Sequence, residues 1–264
     1  MRIRKLESTN GFVAIDVDDV PGQGVVRLAP KILQTGAKDL ARSMTYTLAS
    51  LERRVTGISA GLNATRETAA EAINAFTEEV LSWTDDFRFE AGKGVDSMAL
   101  GKLAIEASDQ FPNLITAAVT AYPNASTALT DIRDPIGLSP LLADRGIQLL
   151  TEVDPFQTEA DLLFVSGENG SVDHNVANSF RGKTVIPTAR LIITTRALAT
   201  CKRRGITVLP DFLILSAPFI EPSQVADQVA KILNHPDGPV LSACEQAETF
   251  IQTWIGQTLY GRPI

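Results

Sequence analysis

The chain has 264 residues, carries 24 lysines and arginines against 31 aspartates and glutamates, and is 44% hydrophobic, enough to bury one large core or two smaller ones. Its net charge of -7 argues against a coat for duplex nucleic acid, which needs a basic face, and no apolar run approaches the roughly 20 residues of a membrane span. Cys201 and Cys244 are too few and too far apart for a disulfide framework or a thiolate metal site, and with only His174 and His235 besides no metal centre is expected. The basic start, Met1-Arg2-Ile3-Arg4-Lys5, leads into no apolar run, so no secretory signal is read and a cytoplasmic protein is expected.

In chain order, Phe12-Val13-Ala14-Ile15 is predicted as a strand, Asp19-Val20-Pro21-Gly22 as a turn, and Gly24-Val25-Val26-Arg27-Leu28 as a second strand. From about Thr35 the period becomes helical, with Leu40, Met44, Leu48 and Leu51 on one face. The small residues Thr56-Gly57-Ile58-Ser59-Ala60-Gly61 are read as a loop that ends this helix. A second helix carries Ile73, Phe76, Val80 and Trp83 on one face, with Thr68 and Glu71 in the pattern of a capping box. Phe87-Arg88-Phe89 is a short strand closed by Gly92 and Gly94, and a helix through Met98, Leu100, Leu103 and Ile105 leads to Phe111-Pro112.

Beyond a boundary near Gln110 to Asn113 the rhythm changes. Short apolar runs at 128–131, 147–150, 161–165, 184–186 and 206–209 alternate with helix-like segments, the pattern of a parallel sheet wound with helices. Two readings stay open at the start of this half. Either Asn113 to Tyr122 is a helix followed by a strand at Ala128 to Asp131, or Leu114 to Ala121 is a strand followed by a turn at Pro123-Asn124-Ala125-Ser126. Two amphipathic helices, Pro222 to Asn234 and Leu241 to Leu259, close the chain. The stripe Ala247, Ile251, Trp254, Ile255 is read as core or subunit contact.

Several stretches together resemble the glutamate/leucine/phenylalanine/valine dehydrogenase family. Gly24-Val25-Val26-Arg27 resembles its Gly-Gly-x-Arg strand, Met44-Thr45-Tyr46-Thr47 its Met-Thr-Tyr-Lys helix end, and Thr56 to Gly61 its Gly-Gly-x-Lys-Gly-Gly loop. Glu90-Ala91-Gly92 resembles its Asp-Val-Gly segment, Ala160 to Asn169 the strand before its asparagine-bearing turn, and Gly205 to Phe212 its closing Gly-Ile-x-x-x-Pro-Asp-Phe motif. The shared order and spacing run from about Gly11 to Pro218. The resemblance implies an α/β fold with an N-terminal substrate and oligomerisation domain over 1–112. A truncated, Rossmann-like parallel-sheet domain over 113–220 and C-terminal helices over 221–264 packing back on the domains would complete it. It also implies a homo-oligomer, or a hetero-oligomer with a related chain, and an amino or 2-oxo acid as the small-molecule partner. No nucleic acid or membrane partner is expected.

The departures bear on function. In the family one lysine grips the substrate carboxylate, a second of lowered pKa activates water, and a carboxylate shuttles protons to the amine. Here Thr47 and Ser59 stand at the two lysine positions, while Glu90 keeps the carboxylate one methylene longer; Ala189 replaces a substrate-side asparagine. A dinucleotide needs Gly-x-Gly-x-x-Gly between a strand and a helix so that amides approach the pyrophosphate, and no such motif occurs. The helix reading of 113–122 implies that the first strand and its glycine turn are deleted. The resemblance places Asp131 or Asp134 at the ribose position and Asn169 on the asparagine-bearing turn, the remaining candidates for contact with NAD(P).

Glu90, at a strand end before two glycines, is the first candidate for catalysis, with Lys93 as a replacement cation and Ser59 as a hydroxyl lacking a histidine in sequence reach. Arg27, Thr47 and Lys31 are the candidates for substrate binding. Asp173 is expected to cap the helix that follows it. The expectation for function is a relative that has lost NAD(P)-linked deamination: a repurposed enzyme using Glu90 as acid/base, or a non-catalytic partner or sensor. An active dehydrogenase with an atypical cofactor site is the alternative.

Overall fold

A computed structural model describes residues 1–105, 110–132, 137–217, 219–257, 259 and 261–264. The chain forms two compact units, Met1–Ala107 with Glu248–Pro263, and Ser108–Ala247 with Ile264.

The first unit contains β1 (Arg2–Lys5), β2 (Gly11–Ile15), β3 (Gly22–Ala29), α1 (Gln34–Ser50), β4 (Thr56–Asn63), α2 (Ala69–Trp83) and β5 (Phe87–Ala91). The sheet order is β1-β2-β4-β3-β5. β2 runs antiparallel to both of its neighbours, β1 and β4, while β3 pairs in parallel with both β4 and β5. Alternation decides the faces. Val13, Ile15, Val26, Leu28, Ile58, Ala60 and Leu62 point to one side, onto Ile73, Phe76 and Val80 of α2. Phe12 and Ala14 point to the other, onto Ala37 and Ala41 of α1. A buried ion pair holds that helix to the sheet: the Arg42 Nε lies 2.9 and 2.8 Å from the two oxygens of Asp16.

Three expectations are corrected here. Thr56 to Gly61 is no loop but most of β4, the central strand of the sheet. Its residues are small because α1 lies directly on it: a Cβ at Gly57 would stand 1.8 Å from the Ala41 carbonyl oxygen, and the Gly57 N–H donates to the Thr45 hydroxyl at 2.9 Å. The capping box does not form, because the Thr68 side chain makes no cap hydrogen bond and instead accepts from the Thr65 N–H. The helix through Met98 is a kinked 3-10 segment, Ser97–Leu103, with Gly101 at φ 50°. Leu100 and Leu103 are buried, and Met98 is 88% exposed.

The second unit contains α3 (Gln110–Ala121), β6 (Thr127–Thr130), α4 (Leu138–Ala143), β7 (Gln148–Leu149), β8 (Leu162–Val165), α5 (His174–Ser179) and β9 (Thr184–Pro187), then α6 (Thr195–Arg203), β10 (Thr207–Val208), α7 (Asp211–Ile214), α8 (Pro222–Ile232) and, through Ala247, the first part of α9 (Pro239–Ile255). All its strand pairs are parallel, in the order β10-β9-β8-β6-β7. β8 is buried along its length, as a strand covered on both faces should be. Asp173 caps α5, accepting from the N–H groups of Asn175 and Val176. The helix reading of 113–122 holds and the strand reading falls: α3 packs on α8 and α4.

A dinucleotide-binding sheet has strand order 3-2-1-4-5-6. Removing its first strand leaves 3-2-4-5-6, the order of β7, β6, β8, β9 and β10 here. β6 and β8 are hydrogen-bonded neighbours, with Leu129 opposite Leu163, so the sheet has closed where that strand would lie.

Candidate functional site

Strand register assembles the candidates of the first unit. Ser59 of β4 and Glu90 of β5 both lie opposite Val25 of β3, and Ala14 of β2 lies opposite Ser59. The four therefore form one row on the α1 side of the sheet. Arg27, two residues beyond Val25, points to the same side in the next row, opposite Gly61. Gly92 completes that row: its N–H donates to the Val26 carbonyl at 2.8 Å, and a Cβ on it would stand 2.8 Å from the Cγ of Arg27. The glycine leaves room for the stem of the arginine.

The Nε and Nη2 of Arg27 and the Oγ of Ser59 are buried and hydrogen-bond to no protein group. Burial lowers the Arg27 pKa from its ordinary value, although a guanidinium stays protonated in proteins. Each buried donor without an acceptor carries a desolvation cost of about 1–3 kcal/mol, more when charged. Glu90 is half-buried at the end of its row.

Other candidates lie elsewhere. Lys31 is exposed beyond β3 and Lys93 is exposed beyond β5, where its carbonyl accepts from the Leu28 N–H at 2.8 Å. Thr47 is buried in α1 and donates to the Ser43 carbonyl at 3.1 Å. It is two residues, roughly 200° of helix, past the Thr45 hydroxyl that meets β4. The structure thus brings Arg27, Ser59 and Glu90 to one face, and does not bring Lys31 or Thr47 to it.

In the second unit the carboxyl ends of the parallel strands form the edge where ligands of such sheets bind. Asp131 follows β6. Its N–H donates to the Phe164 carbonyl, and its Oδ1 accepts from the Ser166 N–H at 2.8 Å and the Ser166 hydroxyl at 3.2 Å. Burial raises its pKa, opposed by those Ser166 hydrogen bonds. Its carboxylate thus ties the end of β6 to the end of β8. Asn169 is exposed in the turn after β8; Asp134 lies outside the described residues.

Asp211, which no sequence pattern singles out as functional, proves to be an organising residue of this edge. Its carboxylate accepts from the N–H groups of Leu191 and Phe212, and burial raises its pKa against those bonds and the charge of Arg190. Leu191 has φ 57°, a left-handed conformation costly for a leucine, and its carbonyl accepts from Gly170 at 2.8 Å. The only sequence signal for Asp211 is its place in Pro210-Asp211-Phe212. Among the described residues, no group of three or more His, Cys, Asp or Glu is placed to hold a metal ion, and no helix is long and apolar enough to cross a membrane.

No family model and no curated protein sequence matches this chain. Solved structures do. L-tryptophan dehydrogenase from Nostoc punctiforme is similar at a TM-score of 0.73 and 16% identity, over 96% of each chain. A hetero-hexameric glutamate dehydrogenase from Thermus thermophilus, in its leucine-bound form, gives 0.74 and 14%, over 95% of this chain and 86% of that one. Glutamate dehydrogenase from Peptoniphilus asaccharolyticus gives 0.59 and 12%, over 94% and 81%. The fold is that of the amino-acid dehydrogenases: an α/β unit followed by a Rossmann-like parallel sheet.

Proposed function

We propose that this chain is a divergent amino-acid-dehydrogenase-like protein that has given up NAD(P)-linked oxidative deamination, and that its first unit keeps a site for an amino or 2-oxo acid on the face of Arg27, Ser59 and Glu90. Strand order carries the first half of this reading. A dinucleotide's pyrophosphate rests on backbone amides at the glycine turn after the first strand. Here β6 pairs directly with β8, and the Asp131 carboxylate spans their ends, placing an acidic group where a phosphate would approach. These residues do not fit a nicotinamide dinucleotide, and no hydride step is assigned to the chain.

For the acid site, binding is favoured over turnover. Thr47 and Ser59 stand where the resemblance places two lysines, and a hydroxyl cannot replace an ammonium as acid/base; losing such a group typically removes ~10²–10⁴-fold in rate. What the face offers is a guanidinium, a hydroxyl and one carboxylate. The chain is therefore read as an amino-acid-binding partner or sensor subunit, assembling with itself or with a related chain. The hetero-hexameric, leucine-bound neighbour supports this by analogy only. A second reading, a cofactor-free enzyme with Glu90 as acid/base, is favoured by the row that Glu90 shares with Ser59.

The test is titration of the purified protein with NADH and NADPH by fluorescence or calorimetry, followed by amino and 2-oxo acids. No binding at millimolar cofactor is expected. Micromolar binding would restore the active dehydrogenase. Glu90→Gln then separates the remaining readings: an enzyme loses turnover, whereas a partner subunit keeps its assembly and has no turnover to lose.

A further inference from the structure

We infer that Arg27 is the carboxylate anchor of the first unit through the side edge of its guanidinium, and that this edge selects acids with a single carboxylate. The inference rests on the reading that the unit binds an amino or 2-oxo acid, and adds how the acid is held and which acids are held.

The two buried Arg27 nitrogens without a protein partner are Nε and Nη2. They are adjacent on the planar group, and their two N–H bonds run side by side toward the paired oxygens of one carboxylate. A lysine offers only a point charge, with no such fork. In the neighbouring row, Ser59 supplies a further buried, unpartnered oxygen, Oγ, which can hydrogen-bond the substituent on carbon 2 of the acid. Buried polar groups in folded proteins are nearly always satisfied. Three such atoms gathered on one sheet face, two of them on a single guanidinium, are what a bound acid would satisfy.

The limit to one carboxylate follows from the other arginines on this side, of which Arg42 of α1 is already paired with Asp16. Arg88 of β5 lies opposite Gln23, the residue two before Val25, and shares the side of Arg27. Its Nη1 is engaged within its own strand end, donating to the carbonyls of Asp85 at 2.6 Å and Phe87 at 2.7 Å. A second carboxylate would also come close to Glu90. Pyruvate and L-alanine should bind in preference to 2-oxoglutarate and L-glutamate.

Calorimetry with these four acids, and melting curves with and without them, would test this on wild type, Arg27→Met, Arg27→Lys and Ser59→Ala. The expected Arg27→Met protein melts higher than wild type without ligand, because a partnerless buried charge has gone, and shows no acid-dependent shift. Arg27→Lys should lose at least about tenfold in affinity, since the fork is gone while the charge remains. Should Arg27→Met not fold, the Arg27→Lys affinity still decides. Unchanged binding in Arg27→Met or Arg27→Lys would make Arg27 a structural residue and overturn the anchor while leaving the acid site standing. Equal or tighter dicarboxylate binding overturns the selectivity. If no acid binds wild type at all, the acid-site reading itself fails.

Discussion

At the scale of single residues, Arg27 and Asp161 lie at opposite extremes of satisfaction. Arg27 keeps two buried donors without protein acceptors, whereas Asp161 is oversupplied. One oxygen of Asp161 accepts from the N–H and hydroxyl groups of Ser126 and Thr127, and the other from Lys183 at 2.8 Å. The Lys183 hydrogen bond first, then the Ser126 and Thr127 bonds, hold the Asp161 carboxyl well below the usual carboxylate range. Since the folded value lies below the unfolded one of about 3.9, this stabilisation is fully present above that pH and is lost as pH falls through the folded value. Asp161→Asn should therefore lower the melting temperature at neutral pH. The gap between variant and wild type should narrow steadily below about pH 4; a gap that stayed constant into acid would show that the charge is not what Asp161 contributes.

At the scale of elements, the contact between α1 and β4 sets what the first unit tolerates. A methyl group on Gly57 would meet the Ala41 carbonyl oxygen at 1.8 Å and the Thr45 N at 2.5 Å, both backbone atoms that cannot give way without moving the helix. Gly57→Ala should cost about 3 kcal/mol or more, or prevent folding. Gly36, in the first turn of α1, is different: a methyl group there would meet nothing within 4 Å. Gly36→Ala should instead stabilise by about 0.4–1 kcal/mol. Urea unfolding of the two variants reads both. Near-equal effects would mean that the approach of α1 to β4 does not set what Gly57 tolerates. The same approach brings α1 over the face that holds Ser59.

At the scale of the whole molecule, a missing strand differs from a missing side chain. If only the Asp131 carboxylate kept a dinucleotide out, removing it would admit the cofactor. Because β6 and β8 are paired through Ala128, Leu129 and Thr130, the crevice has no floor to reopen. Asp131→Ala is expected to lose about 1–3 kcal/mol of stability through the unmet Ser166 groups and to gain no NADH binding. Thermal melts and a fluorescence titration on the same sample measure the two. NADH binding in Asp131→Ala would mean that the side chain, and not the sheet, is the barrier.

Much of this architecture is legible from the sequence because it rests on local periodicity. The alternation in Gly24 to Leu28, the helical spacing from Leu40 to Leu48 and the apolar runs of the second half each write their own element. The absence of a glycine fingerprint is likewise a fact of the sequence, and it anticipates a sheet that lacks its first strand. Tertiary structure alone decided that Thr56 to Gly61 is a strand, since small residues read as a loop until a helix is laid across them. It also decided that Arg27, Ser59 and Glu90 share a face. They lie on three separate strands, and only hydrogen-bond register, which no local pattern encodes, places Val25 between two of them and Arg27 one row away.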